Sequence, residues 1–232
     1  MKTKQQSGQG MVEYALLILL VAIGALLTLQ LMGISVKDVY CRIAGVFTTT
    51  ACSGSTSLCQ DNFDNMSGSQ SVIGPWAATN GRACIQGGGT LLNKCSQTQL
   101  SAADYSAQVK GAALTSGNGY GIFFRATNTG SGINGYAFQY DPGLNGYVIR
   151  KWINGSEINP AIVYKSVPGN NWYGSPHDLS IKVVGNTFTG YVDGQAVLTG
   201  QDNTYTSGGT GLRTWDSTNL CLDDFSINSV TP

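Results

Sequence analysis

Residues 177–198, HDLSIKVVGNTFTGYVDGQAVL, contain the pattern on which the fold prediction rests. In LSIKVV the apolar residues alternate with polar ones, as in a β-strand that buries one face and exposes the other. Two dipeptides, Gly185-Asn186 and Asp193-Gly194, separate this run from two further runs of strand-forming residues. Both dipeptides suit the two-residue turns of β-hairpins, so the stretch predicts three short antiparallel strands in succession.

The same alternation recurs over residues 61–232, where helical periodicity is absent. Apolar runs such as DYSAQVK, GYGIFFRA and GYAFQYD are separated by turns, in a chain that contains 31 glycines. Short strands at a spacing of about ten residues are typical of an all-β sandwich. We therefore predict that residues 61–232 form a single β-sandwich domain.

The composition excludes two classes of protein. Hydrophobic residues make up 42% of the chain, charged residues make up 11%, and 13 Lys and Arg balance 13 Asp and Glu. A chain this apolar and without net charge is not intrinsically disordered. Because no cluster of Lys and Arg is present to neutralise phosphates, nucleic acid is not predicted as a partner.

The amino-terminal region has a different pattern. From Ala15 to Ile34 the chain is almost wholly apolar, and about 20 residues of helix span about 30 Å, the thickness of a bilayer core. Lys2 and Lys4 precede the segment, which predicts a cytoplasmic amino end and an exported remainder. A secretory signal peptide and a plain membrane anchor are two interpretations, but neither explains Glu13 at the mouth of the apolar run.

The stretch SGQGMVEYALLILLVAIG resembles the amino terminus of the Flp-type (tight-adherence) pilins, a branch of the type IV pilin superfamily. The resemblance implies a leader over 1–8 that a prepilin peptidase removes after Gly8, which leaves Gln9 as the first mature residue. It also implies an assembly helix over 9–47, in which Glu13 and Tyr14 take the family's Glu-Tyr positions.

This resemblance implies partners and a location. The chain would first sit in the inner membrane and then join an extracellular filament, with copies of itself or other pilins and a membrane assembly platform as partners. In such a filament, the carboxylate of Glu13 would pair with the α-amine of Gln9 on a neighbour. The pair would remove two uncompensated charges, each of which costs several kcal/mol in an apolar setting.

Six cysteines follow the apolar segment, and an even number on the exported side predicts disulfides. They are Cys41, Cys52, Cys59, Cys84, Cys95 and Cys221. Without a Cys-x-x-Cys pair and with one histidine, a zinc site is not predicted. The Ser/Thr-rich residues 48–60 are predicted to be a linker. We expect a Cys84–Cys95 bond, and a bond from Cys221 that ties the linker to the last strand.

Several segments of 61–228 resemble the concanavalin A-like (laminin-G-like) jelly-roll modules of secreted carbohydrate-active and adhesive proteins. They include the three runs above, the 177–198 stretch, GLRTW and LDDFSI. The resemblance implies a jelly-roll sandwich but no activity, because one fold serves many functions. The fold class predicted for the whole chain is therefore a long hydrophobic N-terminal α-helix followed by an all-β jelly-roll sandwich.

Candidate site residues in the sandwich follow from the chemistry of sugar binding, in which sugar rings stack on exposed aromatics and polar groups set orientation. The candidates are Trp172, Tyr173, Trp152, Tyr147 and Arg125, with Trp215 as a further aromatic. No cofactor is predicted. Calcium is an open alternative, for which the oxygen donors would be Asp141, Asp193, Asp202 and Asp223.

An enzyme is not predicted, because glycoside hydrolysis normally needs two positioned carboxyl groups and Glu157 is the one glutamate of residues 61–232. We interpret the chain as a pilus subunit whose helix polymerises in the filament core and whose head is displayed for adhesion. One alternative is a membrane-anchored glycan-binding module that does not polymerise. The other is a carbohydrate-active enzyme anchored by the pilin helix.

Overall fold

The computed structural model describes residues 13–14, 16–21, 57–100 and 104–230. The chain divides into two compact units, residues 1–54 and 55–232. In the first unit, residues 13–14 and 16–21 are helical, and the apolar side chains of residues 16–21 are exposed. The described residues include no helix that is both long and apolar enough to cross a membrane. Gly8, Gln9, Cys41, Cys52, the whole predicted leader and all other residues of the predicted helix lie outside the described residues.

The second unit is a sandwich of two antiparallel sheets, so the all-β prediction for this region is confirmed. The described strands of the first sheet follow the order β14-β13-β12-β6-β16-β4-β3, with β1 also paired to β16. These strands are β1 (Ser57–Asp61), β3 (Ala77–Thr79), β4 (Arg82–Gln86), β6 (Tyr105–Ser116), β12 (His177–Val184), β13 (Thr187–Val192), β14 (Gln195–Gln201) and β16 (Asn219–Ser229).

The second sheet faces the first and carries the candidate site. Its described strands follow the order β10-β9-β8-β7-β15-β5-β2, with β11 also paired to β9. They are β2 (Ser69–Ile73), β5 (Gly89–Asn93), β7 (Tyr120–Asn128), β8 (Ile133–Asp141), β9 (Gly146–Ile153), β10 (Ser156–Glu157), β11 (Val163–Ser166) and β15 (Gly209–Thr214). A short helix, α1 (Lys94–Gln99), follows β5, and a 3-10 turn, Pro142–Leu144, joins β8 to β9.

The hairpin turns in the 177–198 stretch are confirmed. Strand β12 pairs with β13, and β13 pairs with β14, both antiparallel. Gly185, Asp193 and Gly194 have positive φ angles of 54°, 50° and 75°. Left-handed backbone at these positions is the geometry that twisted two-residue hairpin turns need, and it is why Gly and Asp occur there.

Alternation along the strands divides the apolar residues of the second sheet between two clusters. On β7, Ile122 and Phe124 belong to the main core between the sheets, whereas Phe123 belongs to a smaller cluster. The smaller cluster also contains Leu92 and Ala137 and has Trp152 packed against it. Because successive side chains of a strand point to opposite faces, this cluster lies on the outer face of the second sheet.

The structure corrects the predicted disulfides. Cys59 is bonded to Cys95, and Cys84 is bonded to Cys221. The predicted Cys84–Cys95 bond and the predicted bond from Cys221 to the linker were therefore wrong. Cys84 and Cys221 are directly paired in the register of β4 and β16, which places them side by side although 137 residues separate them in sequence.

The start of the sandwich also differs from the prediction. Residues 57–60, assigned from sequence to the linker, belong to β1, which pairs with the carboxyl-terminal part of β16. A Ser/Thr-rich composition suggested a linker, but the pairing with β16 and the bond from Cys59 to α1 hold this segment in the first sheet. Local composition cannot reveal a partner strand that lies so far along the chain.

Candidate functional site

The outer face of the second sheet carries a row of polar and aromatic side chains across four strands. In the register of the sheet, Arg213 of β15 lies opposite Gly121 of β7, and Gly121 lies opposite Gln139 of β8. A glycine on β7 therefore lies between the two polar residues. Arg213, from the far side of β7, and Gln139, from β8, both donate to Glu157 of β10.

Arg213 stacks on two tryptophans. Its Cζ atom lies 4.3 Å from the ring centroid of Trp152 and 4.3 Å from that of Trp215. Both distances are within the range of cation–π attraction, which orients the indole rings against the guanidinium. Trp215 also lies over Gly119, because a Cβ atom at this glycine would be 2.7 Å from Cζ2 of Trp215. A larger residue at position 119 would collide with the Trp215 ring, so the observed ring position requires glycine there.

Glu157 is the anion at the centre of the row. Its Oε1 accepts hydrogen bonds from Nε2 of Gln139, at 2.7 Å, and from Arg213. Nε of Arg150 lies 3.5 Å from Oε2 of Glu157, which is an ion-pair distance without a hydrogen bond. NH1 of Arg150 donates instead to Oδ1 of Asn159, at 2.6 Å. Glu157 thus forms ion pairs with two arginine side chains on this face.

A shallow pocket lies beside this network, and we call it the Trp215 pocket. Its lining residues are Asn118, Asp141, Gly143, Leu144, Arg150, Glu157 and Trp215. Asp141 of this lining is buried, and its Oδ1 accepts a hydrogen bond from the N–H of Leu144 at 2.9 Å. The pocket therefore combines one aromatic wall with acidic, basic and amide groups, the mixture expected for a ligand rich in hydroxyl groups.

Burial changes the ionisation of two of these groups. Burial raises the pKa of the Asp141 carboxyl above its ordinary value, and the negative charge of Glu157 adds to this effect. Burial also lowers the pKa of Arg213, an effect that the charge of Glu157 opposes. The side chain of Arg213 is only 9% exposed, so the ion pair with Glu157 compensates a charge that has largely lost its water.

The structure brings together only part of the predicted sugar-binding set. Trp152 and Trp215 are half-buried and meet at Arg213. Tyr173 is exposed, is not among the residues that line the pocket, and donates its hydroxyl to the carbonyl oxygen of Gly117 at 2.7 Å. Of the predicted aromatic residues, Trp152 and Trp215 therefore lie next to the network formed by Glu157, Arg213 and Gln139.

Three other predicted residues belong to the interior. Trp172 is only 6% exposed and packs edge-on against Tyr140 and Tyr147, so neither of its faces is open to a sugar ring. Tyr147 is buried in the same aromatic group. Arg125 is buried, with NH1 donating to the carbonyl oxygen of Tyr205 at 3.1 Å. The Pro-Gly turn before Trp172 predicted a loop aromatic, but it could not reveal that the ring folds back into the core.

Four site residues were not predicted from sequence, namely Arg213, Arg150, Gln139 and the glycine at 119. Glu157 was considered only as the single glutamate available for hydrolysis in residues 61–232. A signal was present in GLRTW, where an arginine and a tryptophan stand two positions apart, as residues on one face of an extended chain do. Nothing local indicated that Glu157, 56 residues earlier, would meet that arginine.

The aspartates considered for calcium have separate contacts. Asp141 binds the N–H of Leu144, Asp193 lies 2.7 Å from Nδ1 of His177, and Asp202 lies 3.0 Å from Nζ of Lys151. Oδ1 of Asp223 accepts from the N–H of Asp224. Within the described parts of the chain, no group of three or more His, Cys, Asp or Glu side chains is placed to hold a metal ion.

Comparison with known proteins identifies the fold. The chain matches no protein-family model and no curated protein sequence. Its structure resembles the carbohydrate binding module CBM66 from Bacillus subtilis, at 22% identity and a TM-score of 0.57, over 70% of this chain and 96% of the module. The second unit is a galectin-like, concanavalin A-like β-sandwich.

Two further solved structures show how widely this fold is used. One is the exoplasmic/lumenal domain of VIP36 in a form bound to Ca2+ and Man3GlcNAc, at 11% identity and a TM-score of 0.58, over 76% of this chain and 89% of that domain. The other is a prokaryotic β-1,3-1,4-glucanase (lichenase) from a mouse hindgut metagenome, at 11% identity and a TM-score of 0.56, over 75% of this chain and all of the enzyme's chain (100%). At these identities the likeness establishes the fold alone.

Proposed function

We propose that the β-sandwich is a glycan-binding module that binds sugar rings at the Trp215 pocket on the outer face of its second sheet. The observation that carries the proposal is the row of Trp152, Arg213 and Trp215 beside Glu157. The indole ring of Trp215, held in place by the guanidinium of Arg213, is a rigid surface on which the apolar face of a sugar can stack. Arg150, Glu157 and Asn118 at the pocket wall offer donors and acceptors for its hydroxyl groups.

Replacing Trp215 with alanine should weaken glycan binding about tenfold, because the stacking wall is lost while the fold is kept. The measurement is a screen of the immobilised full-length protein against an array of bacterial, plant and animal glycans, followed by titration of the glycans that bind. Tyr191→Ala is the matched control, since Tyr191 is a half-buried tyrosine on β13 of the first sheet. Equal affinities for wild type and Trp215→Ala would contradict the assignment of the pocket.

We further propose that this module is displayed by a pilin-type helix at the amino terminus, first in the inner membrane and then on an extracellular filament. Support comes from the resemblance of residues 7–24 to Flp-type pilins and from the helical conformation of 13–14 and 16–21 with exposed apolar side chains. A prepilin peptidase, an assembly platform and other copies of the chain would be its partners. A membrane-anchored module without polymerisation is the competing arrangement.

The variant Glu13→Ala separates the two arrangements. We expect it to remove the chain from sheared surface filaments, because a filament core has no other partner for the α-amine of Gln9. The measurement is the amount of this chain in filaments from the native host, together with mass spectrometry of its mature amino terminus. Asp64→Ala, a change on the exposed surface of the sandwich, serves as control. A chain that retains its leader, or filament content unaffected by Glu13→Ala, would favour the simple anchor.

One observation favours an enzyme as a second candidate. Asp141 and Glu157 line the same pocket, and the pKa of Asp141 is raised by burial, as in a carboxyl group that donates a proton. Against this, Glu157 is already engaged by Arg213 and Gln139, which stabilise its charge and occupy its oxygen. Incubation with each bound glycan distinguishes the candidates, since a binding module returns the glycan intact and a hydrolase releases new reducing ends.

A further inference from the structure

We propose that the binding site continues from the Trp215 pocket to Tyr164, so that the ligand is a chain of at least two linked sugars. This inference rests on the proposed glycan-binding function. Tyr164 belongs to β11 and was not among the residues predicted from sequence. It is 47% exposed, which is high for a tyrosine held inside a paired strand.

The ring of Tyr164 is held in place from two directions. Its hydroxyl donates to the carbonyl oxygen of Leu144 at 2.7 Å. Its ring edge covers Gly146, where a Cβ atom would collide with Cε2 of the tyrosine. Glycine at 146 thus lets the ring lie down on the sheet, as glycine at 119 does for Trp215. An aromatic side chain that is both exposed and immobilised loses little conformational entropy when a ligand stacks on it.

Tyr164 is continuous with the pocket already described. Leu144, which accepts its hydrogen bond, is a pocket-lining residue and is itself 42% exposed. Asp141, another pocket-lining residue, is paired with Gly146 in the register of β8 and β9. The two aromatic rings therefore flank the same end of β8, with Trp215 on one side and Tyr164 on the other.

The spacing of the two rings determines the size of the ligand. Trp215 covers Gly119 at the start of β7, and Tyr164 covers Gly146 on β9. These strands are separated by β8, and two strand spacings amount to about 10 Å. A sugar ring stacked over one aromatic therefore lies about 10 Å to the side of the other, beyond the limit of about 7 Å for stacked rings, so it cannot stack on both. Two linked rings can do so, and Asp141 and Arg150 of the pocket lining can bind their hydroxyl groups.

The test uses the immobilised full-length protein with monosaccharides, disaccharides and trisaccharides of the cello-, xylo-, manno- and chito-oligosaccharide series. For the series that binds, we expect wild type to bind the trisaccharide about tenfold more tightly than the monosaccharide. Tyr164→Ala should abolish this gain and leave the affinity for the monosaccharide unchanged. Tyr164→Phe keeps the ring and should retain most of the gain, and Tyr191→Ala should behave as wild type.

The outcomes separate this inference from the function on which it rests. Equal affinity of wild type for monosaccharide and trisaccharide overturns the extended site but does not contradict sugar binding at the Trp215 pocket. A gain that survives Tyr164→Ala also overturns it, since another part of the surface must then bind the second sugar. Absence of binding to any carbohydrate in these series and in the glycan array overturns the proposed function and the inference together.

Discussion

The double variant Cys84→Ala/Cys221→Ala is expected to lose about 5 kcal/mol of unfolding free energy, the largest effect that we predict for a change in this chain. The bond joins residues 137 apart, so it removes much of the conformational freedom of the unfolded chain. It also joins β4 to β16 at directly paired positions of the first sheet. Losing several kcal/mol is serious for a domain whose total stability is expected to lie at about 5–15 kcal/mol.

Chemical denaturation of wild type and variant measures this effect, with the change of circular dichroism as the signal. Cys59→Ala/Cys95→Ala is the matched control, because that bond closes a loop of only 36 residues. Its loss should be about 1 kcal/mol smaller, as the logarithmic dependence on loop length requires. If Cys59→Ala/Cys95→Ala lost more unfolding free energy than Cys84→Ala/Cys221→Ala, native contacts at α1 rather than chain entropy would explain the stabilisation.

The second large effect is expected for Glu157→Leu, which should lower the free energy of unfolding by about 2 kcal/mol. The change leaves Arg213, with its side chain 9% exposed, without its carboxylate partner. Breaking a fully buried pair costs about 3–5 kcal/mol. We expect less here because the side chain of Glu157 is 33% exposed and water can replace part of the interaction. Glu157→Gln retains an acceptor for Arg213 and should be milder.

A double-mutant cycle checks the physical origin of this loss. Glu157→Leu/Arg213→Leu removes both charges, so the double variant should be less destabilised than the sum of the two single changes. Arg213→Leu also removes the cation between Trp152 and Trp215, and its single effect is measured separately for that reason. Strictly additive losses would show that the pair contributes nothing beyond the packing of each side chain.

The local pattern of the sequence was sufficient for the strands and turns, because those depend on neighbouring residues. LSIKVV and the Gly-Asn and Asp-Gly dipeptides predicted a meander that the structure contains, since alternation and left-handed turn residues act over a few positions. The number and placement of cysteines likewise indicated disulfides in the sandwich. Their pairing was predicted wrongly, because it follows from the partners of β4 and β1 rather than from spacing along the chain.

In contrast, the sequence could not show which residues come together to form the candidate site. Trp152 and Trp172 are both tryptophans among polar residues, yet one borders Arg213 and the other lies in the core. Gly119 and Gly146 resemble ordinary turn glycines in the sequence, and only the structure shows an aromatic ring over each.

By itself, the sequence determined that residues beyond the apolar segment form an all-β sandwich stabilised by disulfides, because periodicity and turn chemistry are local properties. The tertiary structure alone decided which side chains share the outer face of the second sheet, and hence that Glu157, Arg213 and Trp215 meet. The physical reason is that strand order and register bring together residues from β9, β10 and β15 that no local preference connects.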